Sequence, residues 1–409
     1  MDHRFTFSPV YSAWNKLGVH YSNEMIKVTP ESSRWIRTVA SIANVANKAV
    51  IIVAFGICTV ATAAFSLLVL PYRSYKYGQM QKEGLTEDLN RFNSQERTAL
   101  RKEITDYIDN QEIRRRFDQP IGVMEKDKLV YDIIGHSARS GKVYGPVALV
   151  WTEDVLKAAN DANQKLVFCA RDGIPPYKIA MELMQRPDYQ EKYPNLVGDG
   201  KISLAYISRA VIANAASSQA NTALFQRYMQ QLGINPGDKA LFVDIGFQGS
   251  TIPAIRQMLA NAGVNDVEFR FLLSHTEQAG GSILSVDDPR RAELLELPSI
   301  QSIPFKGAGS NPATHWLEDT HQGTRKSASH LVEVDGVIYP NTGVPGRKEY
   351  TAPKGSRNFL LRKFCQKAVV KEACGMPLET LNRDEAVRKF DETLHRIVRF
   401  ELPLAVSHV

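Results

Sequence analysis

Residues 239–263 read KALFVDIGFQGSTIPAIRQMLANAG, and residues 166–184 read LVFCARDGIPPYKIAMELM. The two stretches share one grammar: an apolar run, a short loop carrying glycine and an acid, then apolar residues at helical spacing. In the first, Ala240 to Val243 suit a strand and Pro253 to Ala262 the helix after it. In the second, Leu166 to Ala170 suit a buried strand and Tyr177 to Met184 a helix. A third apolar run, ISLAYISR, occupies Ile202 to Arg209, and VEFRFLLSH supplies a further strand from Val267 to Ser274. Strands alternating with helices at this spacing predict an α/β fold, a parallel sheet with flanking helices. Ligands of such sheets sit at the carboxyl ends of the strands, so both loops are expected to face one crevice.

This core is expected to span residues 129–345 of a 409-residue chain whose 44% hydrophobic content allows a large buried interior. The net charge of +6 is mild, and Arg114 to Arg116 is the only dense basic run, so no nucleic-acid partner is predicted. Four cysteines, Cys58, Cys169, Cys365 and Cys374, lack close metal-type spacing and argue against a disulfide scaffold; a reducing compartment follows. Cys169 lies inside an apolar run and reads as a small core residue.

Upstream, residues 1–48 read as an arm and the start of a helix, with Thr29, Pro30 and Glu31 forming a helix-start signature. Ala49 to Tyr72 carries no charged residue, while Lys48 and Arg73 flank it. A bilayer's hydrocarbon core is spanned by roughly 20 apolar residues, so residues 49–71 are expected to form a transmembrane helix whose partner is the lipid bilayer. The expectation is a single-pass membrane protein with its core domain in the cytoplasm or another reducing compartment; the balanced flanking charges give no orientation. Residues 72–128 are rich in both charge signs, and Leu89, Phe92, Leu100, Ile104 and Ile108 recur at helical spacing, which predicts an amphipathic helical linker.

Residues 130–163 have a helical pattern interrupted at Gly141 to Pro146. Beyond the last core strand, His275 falls at a strand end, and residues 276–314 read as a long loop. Lys306, His315 and Glu318 in and beside that loop are candidates to close over an anion. LVEVDGVIY, residues 331–339, predicts a hairpin with Asp335 and Gly336 at its turn. Residues 346–409 form a helical segment with two packing helices, FLLRKFCQKAVVKEA and DEAVRKFDETLHRIVRF.

Gly145 and Pro146, Trp151, the A-R-D-G of residues 170–173, Ser208 and Arg209, the V-D-I-G-F-Q-G-S of residues 243–250 and the W-L-E-D of residues 316–319 occur in a characteristic order. That order resembles the C-terminal domain of haloacid-dehalogenase-type proteins linked to bacterial surface-polysaccharide biosynthesis. The phosphatase part of those proteins carries an aspartate nucleophile in a D-x-D pattern after an apolar strand. No strand-like run here ends in that pattern, so the phosphatase chemistry is not implied.

The residues 239–269 are also similar to the diphosphate-sugar loop of type I phosphoribosyltransferases, and ARDGIPPYKIAMEL is similar to their pyrophosphate loop. This second resemblance implies a phosphoribosyltransferase-like core that takes a phosphorylated small molecule. Backbone amides at a helix start are unpaired and lie at the positive end of the dipole, so a glycine-containing turn there suits a phosphate. Arg171, Asp172 and Asp244 are the catalytic candidates, with Arg171 placed to meet pyrophosphate oxygens and Asp244 to accept ribose hydroxyls or a water on Mg2+. Gly173, Ser208, Arg209, Gly246, Gly249, Ser250 and Thr251 are the substrate-binding candidates. Ile245 follows Asp244 where the family has a second acid, and the loop to Thr251 is one residue shorter than the family's.

Together these readings predict a membrane-anchored bacterial protein that binds or transfers a phosphorylated sugar or nucleotide, in surface-polysaccharide metabolism by the first resemblance. The alternative is a non-catalytic interaction module, or a secreted bacterial effector, with a degenerate anion-binding crevice. Strand-end acids often cap the next helix, and Arg171 has the same bland rival of pairing with one of them.

Overall fold

The structure is a computed structural model that describes residues 86–110, 123–170, 172–247, 252–274, 316–317, 320–321, 323–324, 327–342 and 356–400. The chain divides into two units, Met1–Lys82 and Glu83–Val409, and all described residues belong to the second.

After a helical turn at 86–90 come α1 (Ser94–Asp109), α2 (Val123–Arg139), a π turn (Ser140–Tyr144) and α3 (Gly145–Asp161). The core then runs β1 (Lys165–Cys169), α4 (Ile174–Leu183), the short α5 (Pro187–Lys192), β2 (Ile202–Ala205), α6 (Arg209–Ala216) and α7 (Gln219–Gln231). It continues through β3 (Lys239–Phe247), α8 (Ile252–Asn261) and β4 (Asp266–Ser274). The hairpin β5 (His330–Val334) and β6 (Val337–Asn341) precedes α9 (Arg357–Gly375) and α10 (Arg383–Phe400).

The expected parallel sheet is present: β1 pairs in parallel with β2 and β3, and β3 with β4, in the order β2-β1-β3-β4. The two central strands, β1 and β3, are apolar on both sides along most of their length because helices cover both faces, whereas the edge strand β4 alternates with Asp266, Glu268 and Arg270. Leu166, Phe168, Leu241, Val243 and Ile245 pack into one core with α3, α4, α9 and α10. Val167, Cys169, Ala240 and Phe242 face the other way, against α6, α7 and α8. A third cluster joins Ile104 and Ile108 of α1 to Ile133 and Ile134 of α2 and to Phe364 and Cys365 of α9.

Two sequence expectations change in form. The single helix predicted through Leu89 to Ile108 is cut at Asn93, whose side chain accepts the Glu96 amide N–H while the Glu96 carboxylate accepts that of Asn93. Such a capping box restarts the helix. The interruption predicted at Gly141 to Pro146 is a π turn that carries α2 directly into α3. Pro146 is tolerated because it falls in the first turn of α3, where a missing N–H costs no intrahelical bond. The hairpin forms as expected, with Asp335 and Gly336 at φ 51° and 76°, the left-handed pair that a two-residue turn requires.

The transmembrane helix expected over residues 49–71 lies outside the described residues. Among the described residues no helix is long and apolar enough to cross a membrane, so the single-pass membrane placement finds no support and is corrected. α9, at 19 residues the longest described helix, shows the physical reason, since Arg362, Lys363, Lys367, Lys371 and Glu372 interrupt its apolar positions.

Candidate functional site

The connection from β1 to β2 runs through α4 on one face of the sheet, whereas those from β2 to β3 and β3 to β4 run through α6, α7 and α8 on the other. The strand order therefore reverses direction between β1 and β3. The chain leaving β1 turns to one face and the chain leaving β3 to the opposite face. Doubly wound sheets bind ligands at such a switch point, in a crevice outside the carboxyl ends of the two strands. Of the segments that leave β1 and β3 here, residues 172–173 are described and residues 248–251 are not.

The charges of Asp172 and Asp244 both bear on Cys169. The Cys169 thiol is pushed well above its usual pKa, first by burial and then by the negative charge of Asp244 and Asp172. It stays protonated, which agrees with its reading as a core residue. Asp244 is not in the loop, because β3 runs on to Phe247 and pairs Asp244 with Phe271 of β4. Strand alternation puts Asp244 on the side of Phe242 and Cys169, opposite Val243 and Ile245. Asp172 lies toward the other face, where its charge helps burial to raise the pKa of Tyr144.

Gly173 is required for a reason other than positive φ. Its φ is −73°, but a Cβ built on it would sit 2.4 Å from the Cys169 carbonyl oxygen. Its N–H donates to that oxygen at 2.9 Å, closing a tight turn between β1 and α4. The first turn of α4 is poor in donors. Pro175 and Pro176 have no N–H, and Tyr177 gives its own to the Gly173 carbonyl at 3.0 Å. The phosphate cradle expected at this helix start is thus largely dismantled.

Ser208 is committed to structure. Its oxygen accepts the Val211 amide N–H at 3.1 Å as the N-cap of α6, and its hydroxyl donates to the Ala328 carbonyl at 2.5 Å. Replacing Ser208 by Ala should cost about 1–2 kcal/mol in urea unfolding from the lost cap and tether, with ligand affinity unchanged. An affinity loss alongside normal stability would place the hydroxyl in the crevice instead. Arg209 is the first, exposed residue of α6, at the carboxyl side of β2. Gly246 is in β3, whereas Arg171, Gly249, Ser250 and Thr251 lie outside the described residues, as do His275, Lys306, His315 and Glu318.

The sequence reading missed a group beside Asp172. Tyr144, Trp316 and His321 pack together, with the Tyr144 and His321 ring centroids 4.5 Å apart and those of Trp316 and His321 5.4 Å apart. No signal in the sequence could have found the group: the spacing in W-L-E-D-T-H relates His321 to Trp316, but nothing in it relates either residue to Tyr144. Among the described residues no group of three or more His, Cys, Asp or Glu is placed to hold a metal ion, so the magnesium expected at Asp244 gains no support from a ligand cluster.

The strand order and the helices on both faces define a doubly wound α/β protein. No protein-family model matches the chain, and no curated protein matches it, so the expected transferase assignment also lacks support.

Proposed function

We propose that the crevice between β1 and β3 binds a phosphorylated sugar or a nucleotide and grips it chiefly by its sugar hydroxyls. The observation that carries this reading is the pair Asp172, just past the end of β1, and Asp244, within β3 on the side of Phe242, the charges of which both bear on the Cys169 thiol. Partly desolvated carboxylates are strong acceptors for hydroxyls. They also repel phosphate, so the anionic end of the ligand is directed away from them, toward Arg209 at the start of α6. That division of labour agrees with the resemblance of residues 239–269 to a diphosphate-sugar loop. The resemblance to surface-polysaccharide proteins favours a sugar phosphate of the kind used in that metabolism.

The reading stops at binding. A departing diphosphate needs several donors, and the prolines at 175 and 176 remove two from the loop that the resemblance assigns to it. A regulatory or carrier role suits such a site better than group transfer.

The test is thermal unfolding of the full chain with ribose 5-phosphate, glucose 1-phosphate, uridine monophosphate or UDP-glucose, each with and without magnesium. A ligand at a hundred times its Kd should stabilise the protein by about 2.7 kcal/mol, enough to raise Tm by roughly 3–4 °C. Asp244→Asn should weaken that ligand about ten- to a hundred-fold, the worth of a hydrogen bond to a charged acceptor. If none of the four compounds moves Tm, or if the Asn variant responds as the parent does, the reading is lost.

A further inference from the structure

Beneath the crevice, three polar atoms are enclosed by protein without a hydrogen-bond partner: Tyr144 Oη, Trp316 Nε1 and His321 Nε2. Their side chains are 0%, 3% and 0% exposed. They sit in the core that also holds Phe168 and Ile245 of the two switch-point strands, and Tyr144 feels the charge of Asp172 at the crevice wall. A lone orphan of this kind is tolerated, but three in one aromatic cluster call for a physical cause, because buried polar groups are nearly always hydrogen-bonded.

The protonation pattern can be worked out. The Thr320 hydroxyl donates to the Trp316 carbonyl, so its proton is already used where its oxygen meets His321 Nδ1 at 2.8 Å. The imidazole must therefore donate from Nδ1, and the Leu317 carbonyl beside it is a second acceptor for that proton. Burial holds the ring neutral, with its pKa lowered to about 3, which leaves Nε2 as a bare acceptor. The cluster thus offers one acceptor at His321 Nε2, one donor at Trp316 Nε1 and a Tyr144 hydroxyl that serves as either. A small group that both donates and accepts satisfies it, and a charged one does not, since burial without a counter-charge is costly.

We infer that Tyr144, Trp316 and His321 form an inner polar site that holds water in the free protein and receives one uncharged hydroxyl of the sugar bound in the crevice. In this assignment the hydroxyl accepts from Trp316 Nε1 and donates to His321 Nε2, and Tyr144 Oη is the third group available to it. Water fills the same role before binding, as it does for most buried polar groups. The sugar hydroxyl rests on the crevice reading above; the hydration site does not.

A high-resolution crystal structure of the free full-length chain tests the hydration site. Ordered water within hydrogen-bond distance of at least two of the three atoms is expected, and a dry cluster overturns the inference. Titration of glucose 1-phosphate and its mono-deoxy analogues tests the ligand. One analogue should bind the parent chain about five- to ten-fold more weakly than glucose 1-phosphate. That gap should close in Tyr144→Phe, which keeps its ring and packing, and in Trp316→Phe, which removes the N–H together with part of the ring. A gap that persists in both variants, or analogues that all bind alike, overturns the assignment while leaving the crevice reading intact. A hydrated cluster in a chain that binds no sugar phosphate rejects both the crevice reading and the hydroxyl assignment, and water is then the site's sole occupant.

Discussion

Gly173→Ala should destabilise the protein by about 3 kcal/mol, the upper part of the range for forcing atoms into filled space, and lower Tm by roughly 4 °C. The added Cβ would lie 2.4 Å from the Cys169 carbonyl oxygen and 3.1 Å from the Cys169 nitrogen, both backbone atoms of β1. Neither can retreat. Cys169 is held in register with Ala205 of β2, and its carbonyl already accepts the Gly173 N–H. The turn must open instead, carrying Asp172 away from the crevice, so any ligand-induced rise in Tm should vanish as well. Gly237→Ala is the matched control. Its φ of +85° makes a side chain strained, but nothing lies within 4 Å of the added Cβ. That substitution should cost only about 1 kcal/mol, the penalty of left-handed backbone for an L-residue. Equal losses at the two positions would mean that the close approach at Gly173 relaxes and that the β1 turn is not fixed by sterics.

The sheet was legible because its four strands are short apolar runs separated by helical patterns, a period change that sequence displays directly. Even there, boundaries shifted for tertiary reasons. β3 reaches Phe247, beyond the apolar run ending at Val243, because β4 alongside it offers partners as far as Ser274. ISLAYISR yields a strand only to Ala205, because Ser208 caps α6 and ends the extended run. At the switch point, the two repeats of one grammar were readable, but the run of β3 past Asp244, which puts that acid in the strand and not in the loop, was not. Donor poverty at α4 was readable too, since I-P-P stands in the sequence, but its consequence depends on where the helix begins. The Tyr144, Trp316 and His321 cluster was not legible. Its members are separated by about half the chain, and no periodicity links a π turn to the residues beyond a long loop.

Breaking the ion pair between Asp88 and Arg139 should have the largest effect on stability. Both side chains are nearly inaccessible, at 2% and 4% exposure, and Arg139 Nε donates to Asp88 Oδ2 at 2.8 Å. Arg91 Nε adds a contact to Oδ1 at 3.2 Å. Asp88→Asn leaves a guanidinium in the interior without its counter-charge, which should cost about 3–5 kcal/mol, measured by urea unfolding. The pair itself need not be strongly stabilising, because both ions lose their hydration to form it. Asp88→Leu combined with Arg139→Met should therefore recover most of the loss, as apolar replacement of a whole buried pair often does. If the double variant is as unstable as Asp88→Asn, the contribution comes from hydrogen bonds to the surrounding backbone and not from charge pairing. The double variant also separates stability from function. Arg139 lies over the Trp316 ring at 5.9 Å and immediately precedes the π turn that carries Tyr144. A well-folded double variant that still responds to ligand would show that packing alone holds those two rings. One that folds but no longer responds would show that the guanidinium, 51 residues from Asp88 along the chain, orients the inner polar site.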